Sequence, residues 1–208
     1  CWFIYMGGYI HNLQSRVRDQ RENLRDAHTR MEAIAVRDDL TGLYNRRHFL
    51  ERLEEELSLA NRNHTPLYLA IIDLDHFKQV NDNYGHHSGD EVLSRFARIA
   101  SQSLRKSDLL ARYGGEEFVI ILTDSSFNDA LVFAERMRNR VEQLGLPHSG
   151  SRVSQVVTIS VGVACSDHGA SNGAELLKQA DEALYQAKGA GRNRVAMTNS
   201  QGLVEMLS

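Results

Sequence analysis

Gly114 and Gly115 separate two strand-like runs, Leu109 to Tyr113 and Phe118 to Leu122. A glycine pair between such runs reads as a tight hairpin, because glycine alone enters the positive-φ region cheaply at both turn positions. Any fold of this chain must therefore contain a pair of antiparallel strands here. The same turn carries Glu116 and Glu117 to an exposed tip. Two adjacent acids at a tip are either a solvated turn or part of a site, and the rest of the chain has to decide.

Helix-like and strand-like segments alternate around that hairpin. Arg46 to Asn61 places Phe49, Leu50, Leu53, Leu57 and Ala60 on one helical face. Leu67 to Leu74 is an almost continuous apolar run, as expected of a buried central strand, and it ends in Asp73-Leu74-Asp75. His76 to Asn83 predicts a short helix, followed by a loop at Gly85-His86-His87. Ser88 with Glu91 predicts a capping box that opens the next helix. Asn128 to Leu144 and Gly173 to Lys188 read as helices, Val153 to Ala164 and Arg194 to Met197 as strands, and the tail 198–208 carries no signal. Helices that separate strands, with one internal hairpin, predict a central mixed sheet flanked by helices, α+β in class.

The N-terminal part is different in kind. Residues 1–10 are strongly apolar and aromatic. Ten residues cannot span a bilayer, which takes about 20. With Trp2 and Tyr5 at an interface and Arg16 and Arg18 beyond it, they read as the cytoplasmic end of a truncated transmembrane helix. A short apolar extension packed on the domain or on a partner is the alternative. Residues 11–36 contain neither glycine nor proline, and Leu13, Val17, Gln20, Leu24, Ala27, Met31 and Ile34 alternate at spacings of four and three. That is a heptad seam, which predicts a coiled coil and self-association, with a single amphipathic helix as the alternative. Asp38 to Asn45 breaks the heptad and reads as a hinge.

Composition limits the chemistry. A net charge of −3 offers nothing for non-specific nucleic-acid binding, so an anionic substrate needs locally placed cations or metal ions. Two cysteines, Cys1 and Cys165, make no disulfide framework, which fits a reducing compartment.

Asp73 ends a buried strand and Glu116 tips the neighbouring hairpin. Two carboxylates brought together repel unless a cation lies between them. Oxygen donors without a cysteine or histidine cluster point to Mg²⁺ or Mn²⁺ rather than zinc, and a magnesium site with few protein ligands awaits substrate phosphates. Solvated strand ends remain the alternative. Lys78, Lys188 and Arg192, with the backbone amides that open the helix at His76 and Phe77, are candidates for phosphate; each is equally a helix-end or surface group. Asn81 and Asp90 flank the glycine-histidine loop. A carboxylate and an amide match the Watson–Crick edge of guanine, while a turn residue and a helix-dipole partner are the plainer readings.

Taken together, these stretches resemble the GGDEF-domain diguanylate cyclases. Gly114-Gly115-Glu116-Glu117-Phe118 matches the signature with Glu in its variable acidic position. Asp38 to Arg47, Asp73 to Lys78, Asn81 to His86, Gly89-Asp90, and Ala187-Lys188 through Gly191-Arg192-Asn193 also look like the family, over roughly residues 37–197. The resemblance implies a palm-like, nucleotidyl-cyclase-like α+β fold and condensation of two GTP into cyclic di-GMP. It implies that Asp73, the Leu74 carbonyl and Glu116 hold Mg²⁺, with Glu116 also the proton acceptor. Asn81 and Asp90 would read guanine with His86 nearby, and Lys78, Lys188 and Arg192 would hold phosphates. The two-fold symmetric product implies a homodimer, which gives the coiled coil a role. Arg105-Lys106-Ser107-Asp108 resembles the family's RxxD product-inhibition site, and Arg136 matches a further arginine of it; a helix-end ion pair is the alternative. An additional arginine that some relatives carry before the Asp73 strand is not matched, since Leu59 stands near there and Arg62 is close. The cellular expectation is an inner-membrane protein with its catalytic domain in the cytoplasm. A receptor that binds nucleotide without turning it over is the competing class, but degenerate relatives lose signature residues and none is lost here.

Overall fold

The computed structural model describes residues 18, 36–151, 153–166, 172–198 and 204–207. Apart from Arg18 and Val36, the expected membrane segment and coiled coil lie outside the described residues. Among the described residues, no helix is long and apolar enough to cross a membrane. The chain divides into two compact units, residues 1–36 and 37–208, and the second carries the fold below.

That unit begins with a structured corner where the sequence predicts a hinge. The Asp38 amide donates to the Leu43 carbonyl and the Gly42 amide to the Asp38 carbonyl, both at 2.8 Å. A two-residue strand β1 (Tyr44–Asn45) leads into helix α1 (Arg46–Asn63), and the Asn45 side chain caps that helix by accepting from the His48 amide. Then follow β2 (Tyr68–Leu74), α2 (Phe77–Tyr84), α3 (His86–Ser103), β3 (Leu109–Arg112), β4 (Glu117–Leu122), α4 (Phe127–Gln143), β5 (Ile159–Cys165), α5 (Gly173–Gly189), β6 (Val195–Thr198) and β7 (Val204–Leu207). The strands form one sheet in the order β1-β3-β4-β2-β5-β6-β7. β1–β3 and β5–β6 are parallel and the other pairs antiparallel, so the sheet is mixed, as expected.

β2 lies at its centre and is buried along its whole length. Its residues alternate between two cores, because successive side chains in a strand leave opposite faces. Ala70, Ile72 and Leu74 join Phe118 and Ile120 against α2, α3 and α4. Leu69 and Ile71 join Val119 and Ile121 against α1 and α5. Each large aliphatic side chain buried in this way contributes roughly 1.5–3 kcal/mol. Asp73 follows Ile71 on the same face, so strand parity alone directs it toward α5. Gly162 of β5 lets α5 press onto the sheet: a Cβ there would stand 2.2 Å from the Ala180 carbonyl oxygen and the Leu184 nitrogen.

Four local expectations are corrected. The Gly114-Gly115 turn does not use positive φ, since neither glycine has it. β3 ends at Arg112 and β4 begins at Glu117, and the Tyr113 and Gly114 amides both donate to the Glu117 carbonyl, which makes the loop wider than a two-residue turn. α3 opens at His86, not at a Ser88 capping box. Gly85, at φ 83°, breaks the chain three residues before Ser88, and Ser88 Oγ instead donates to the Tyr84 carbonyl. β5 begins at Ile159, because residues 146–148 pair with residues 155–157 through the Pro147–Val156 bridge and flanking backbone bonds. The tail supplies β7, which pairs antiparallel with β6.

Candidate active site

The end of β2 gathers the acids. Asp73 is 6% exposed and stands directly opposite Glu117 in the β2–β4 register. One residue further, the Leu74 amide donates to the Glu116 carbonyl at 3.3 Å, so the glycine loop is bonded to the strand end. Lys188, in the last turn of α5, places its ammonium 2.9 Å from Asp73 Oδ2. Burial pushes Asp73 above its ordinary value; the Lys188 ammonium works against that, while Asp75 and Glu117 add to it. Glu116 is also pushed up, by burial first and then by the Asp73 charge, with Lys188 opposing. This end of the sheet holds more negative charge than one lysine neutralises.

Arg112 shapes the loop. Its guanidinium donates to the Gly114 carbonyl at 3.2 Å and the Gly115 carbonyl at 2.8 Å, and reaches Asp38 at 3.1 Å. Burial raises the Asp38 pKa, but hydrogen bonds from Thr41 and Arg112 outweigh it, and the net shift is downward. Gly115 is exposed, and a Cβ there would meet nothing within 4 Å, which leaves the outer side of the loop open to a ligand. Asp38 and Arg112 were not among the expected site residues. Both stand inside recognisable motifs, yet 74 positions separate them and only the fold pairs them.

A second group of residues meets where α2 crosses α3. Gly89 is buried, and a Cβ there would overlap Asn81 Oδ1 at 2.0 Å. Asn81 therefore rests on the backbone of α3, one residue from exposed Asp90, and the two expected base readers are brought together. His86 heads α3 in an exposed position. His76 heads α2 at φ 57° with no side-chain cap, which leaves the amides of Phe77 and Lys78 at a bare helix N-terminus next to the acids. Lys78 is exposed, and neither it nor half-buried Arg192 has an ion-pair partner among the described residues.

The third group lies elsewhere. Arg105, Asp108 and Arg136 line one cavity of about 290 Å³ together with Ser103, Asn128 and Asp129. Asp108 precedes β3 and the glycine loop follows it, so about 13 Å of strand separates this cavity from the acids. Asp108 Oδ2 accepts from the Arg105 amide at 2.9 Å. Burial pushes the Asp108 carboxyl up against the pull of the Arg105 amide and charge and of the Thr123 amide. The Arg105 guanidinium has no ion-pair partner among the described residues, so the alternative of a helix-end ion pair is not what forms.

The chemistry of the donors fits a hard divalent cation. Asp73, Glu116 and the Leu74 carbonyl offer oxygen only, and the Lys188 ammonium works against the burial and repulsion that push both acids up without outweighing them. Among the described residues no three His, Cys, Asp or Glu side chains form a closed metal cage. Open positions of that kind suit an ion whose remaining ligands come from substrate.

Comparison with known proteins gives a consistent answer. The family model for the diguanylate cyclase GGDEF domain matches residues 35–194. The probable diguanylate cyclase DgcT of Escherichia coli strain K12 is 43% identical over 164 residues, which are 79% of this chain and 36% of that protein. The response regulator PleD of Caulobacter vibrioides is 44% identical over 162 residues, 78% of this chain and 36% of PleD. The chain thus spans about a third of the length of these curated relatives. Among solved structures, the coiled coil and GGDEF domain of DgcB from Caulobacter crescentus, in complex with c-di-GMP, superposes with a TM-score of 0.73 at 31% identity, covering 89% of this chain and 98% of that one. On the strength of its fold, its paired acids and these matches, the chain belongs to the GGDEF diguanylate cyclase family.

Proposed function

We propose that this chain condenses two GTP molecules into cyclic di-GMP with release of two pyrophosphates, in a Mg²⁺-dependent reaction that Mn²⁺ can also support. The observation that carries the reading is the pair of acids, buried Asp73 and half-buried Glu116, both pushed up by burial and set beside Lys188 and a helix N-terminus without a side-chain cap. Asp73, the Leu74 carbonyl and Glu116 would hold the metal, which would supply charge neutralisation of the triphosphate and a lowered pKa of the attacking 3′-hydroxyl. Asp90 accepts from the guanine N–H groups and Asn81 donates to its carbonyl, with His86 at the rim. Lys78, Lys188, Arg192 and the amides after His76 hold phosphate oxygens. Glu116, whose carboxyl binds protons more readily than an ordinary one, accepts the 3′-hydroxyl proton. The oxygen then forms a bond to the α-phosphorus of the other GTP as the bond to pyrophosphate breaks, and a second such step closes the ring.

One domain supplies one acid pair, so two domains must face each other. Residues 11–36 would hold a homodimer together as a coiled coil. Residues 1–10 would be the end of an inner-membrane anchor, with the catalytic domain on the cytoplasmic side. Arg105, Asp108 and Arg136 would bind the product at the inhibitory cavity. The cavity that the three residues share, and an Arg105 guanidinium with no ion-pair partner among the described residues, support that assignment.

One assay tests the proposal. Purified protein given GTP and Mg²⁺ should release cyclic di-GMP, and Glu116→Ala should lower the rate at least about 100-fold, as loss of a general base together with a metal ligand does. Added product should inhibit the parent protein and leave Arg105→Ala uninhibited. An active Glu116→Ala variant would remove the acid from the mechanism.

A further inference from the structure

Asp75 is only 1% exposed, and the reaction above makes no use of it. Its carboxylate is not idle. Oδ2 accepts from Thr158 Oγ1 at 2.8 Å and from the Asn193 backbone amide at 3.0 Å, and Oδ1 accepts from Ser160 Oγ at 2.7 Å. The first and last of these donors belong to the segment leading into β5 and to β5 itself, whereas Asn193 belongs to the turn between α5 and β6. That turn places two consecutive non-glycine residues in the left-handed region, Arg192 at φ 66° and Asn193 at φ 46°. Each such residue costs on the order of 1–2 kcal/mol relative to right-handed backbone and persists only where its surroundings hold it. The Asn193 side chain supplies the other hold. Its Oδ1 accepts from Arg138 and its Nδ2 donates to Glu142, both at 3.0 Å on α4. The turn is thus held from both sides, and it begins four residues after Lys188, which is bonded to Asp73.

We infer that Asp75 is a positioning residue for phosphate recognition: by holding the Asn193 amide it fixes the left-handed turn that aims Arg192 at the triphosphate. The inference rests on the reading that Arg192 binds GTP phosphates. The Asn193 amide can only donate, so whatever stands at position 75 must present an acceptor to it. An asparagine can do so through Oδ1, because the Thr158 and Ser160 hydroxyls can rotate to suit its amide nitrogen. An alanine cannot.

The test measures GTP affinity by calorimetry together with KM and kcat, so that it has a readout even in a protein that makes no product. Asp75→Ala should raise the Kd and KM for GTP about tenfold, the effect of losing one hydrogen bond to a charged group, with a smaller change in kcat. Asp75→Asn should bring both within about threefold of the parent. Combining Asp75→Ala with Arg192→Ala should weaken GTP no further than Arg192→Ala alone, because both act through one guanidinium. If Asp75→Ala does not fold, Asn193→Gly keeps the amide, frees the turn, and should show the same non-additivity with Arg192→Ala. Additive effects, or a loss of melting temperature with unchanged GTP affinity, would overturn the inference. If Arg192→Ala itself leaves GTP affinity unchanged, the phosphate role of Arg192 falls and this inference falls with it.

Discussion

Glu116 occupies a place that opposes its own charge. Burial and the Asp73 carboxylate favour its protonated form, so the folded domain binds this proton more tightly than the unfolded chain does. A raised acid of this kind costs stability above its folded pKa, and the cost disappears as pH falls below the ordinary carboxylate value, where both states are protonated. Glu116→Gln should therefore raise the melting temperature near pH 7.5. The gain should vanish below about pH 4. Thermal unfolding of both proteins across pH, without added metal, checks this; an equal gain at pH 4 and pH 7.5 would mean that charge is not the cause. At this scale the sequence showed which residues carry chemistry but not which of them touch. Asp73 could be named as a strand-end acid, whereas its position opposite Glu117 is a property of strand register. The Arg112–Asp38 pair and the Asn193–Asp75 bond join residues far apart in the chain, and no spacing rule reaches them.

Elements were more legible than contacts, because their signals are periodic and local. The almost continuous apolar run at Leu67 to Leu74 announced a buried central strand, and β2 is buried throughout. Helices with a 3.6-residue apolar stripe came out within a residue or two of their expected ends. The misses have physical causes. Ser88 and Glu91 have the spacing of a capping box, but the left-handed Gly85 starts the helix first. β7 owes its strand structure to pairing with β6, which the tail's own composition does not encode. The role of Gly162 lies in the contact with α5, which no local sequence pattern encodes. Gly162→Ala would place a methyl group against the backbone of that helix, 2.2 Å from two of its atoms. Overpacking on rigid neighbours should cost about 3 kcal/mol. That lowers the melting temperature by roughly 6–12 °C, a loss that urea unfolding would read independently. A variant as stable as the parent would mean that α5 can move away from the sheet, and with it Lys188.

For the whole molecule, the central point is incompleteness. The domain of residues 37–208 carries one acid pair, one pair of proposed base readers and one set of proposed phosphate-binding groups, while the proposed product contains two of everything. On that reading the chemistry would close only when a second copy presents its own glycine loop. Residues 11–36 would act by raising the effective concentration of one domain at the other. The most direct measurement is cyclic di-GMP formation from GTP and Mg²⁺ across a range of protein concentrations, with the dimer fraction measured by sedimentation in the same samples. The account predicts that activity per chain follows the dimer fraction and disappears in dilute, monomeric samples. Full activity per chain in samples shown to be monomeric would contradict it.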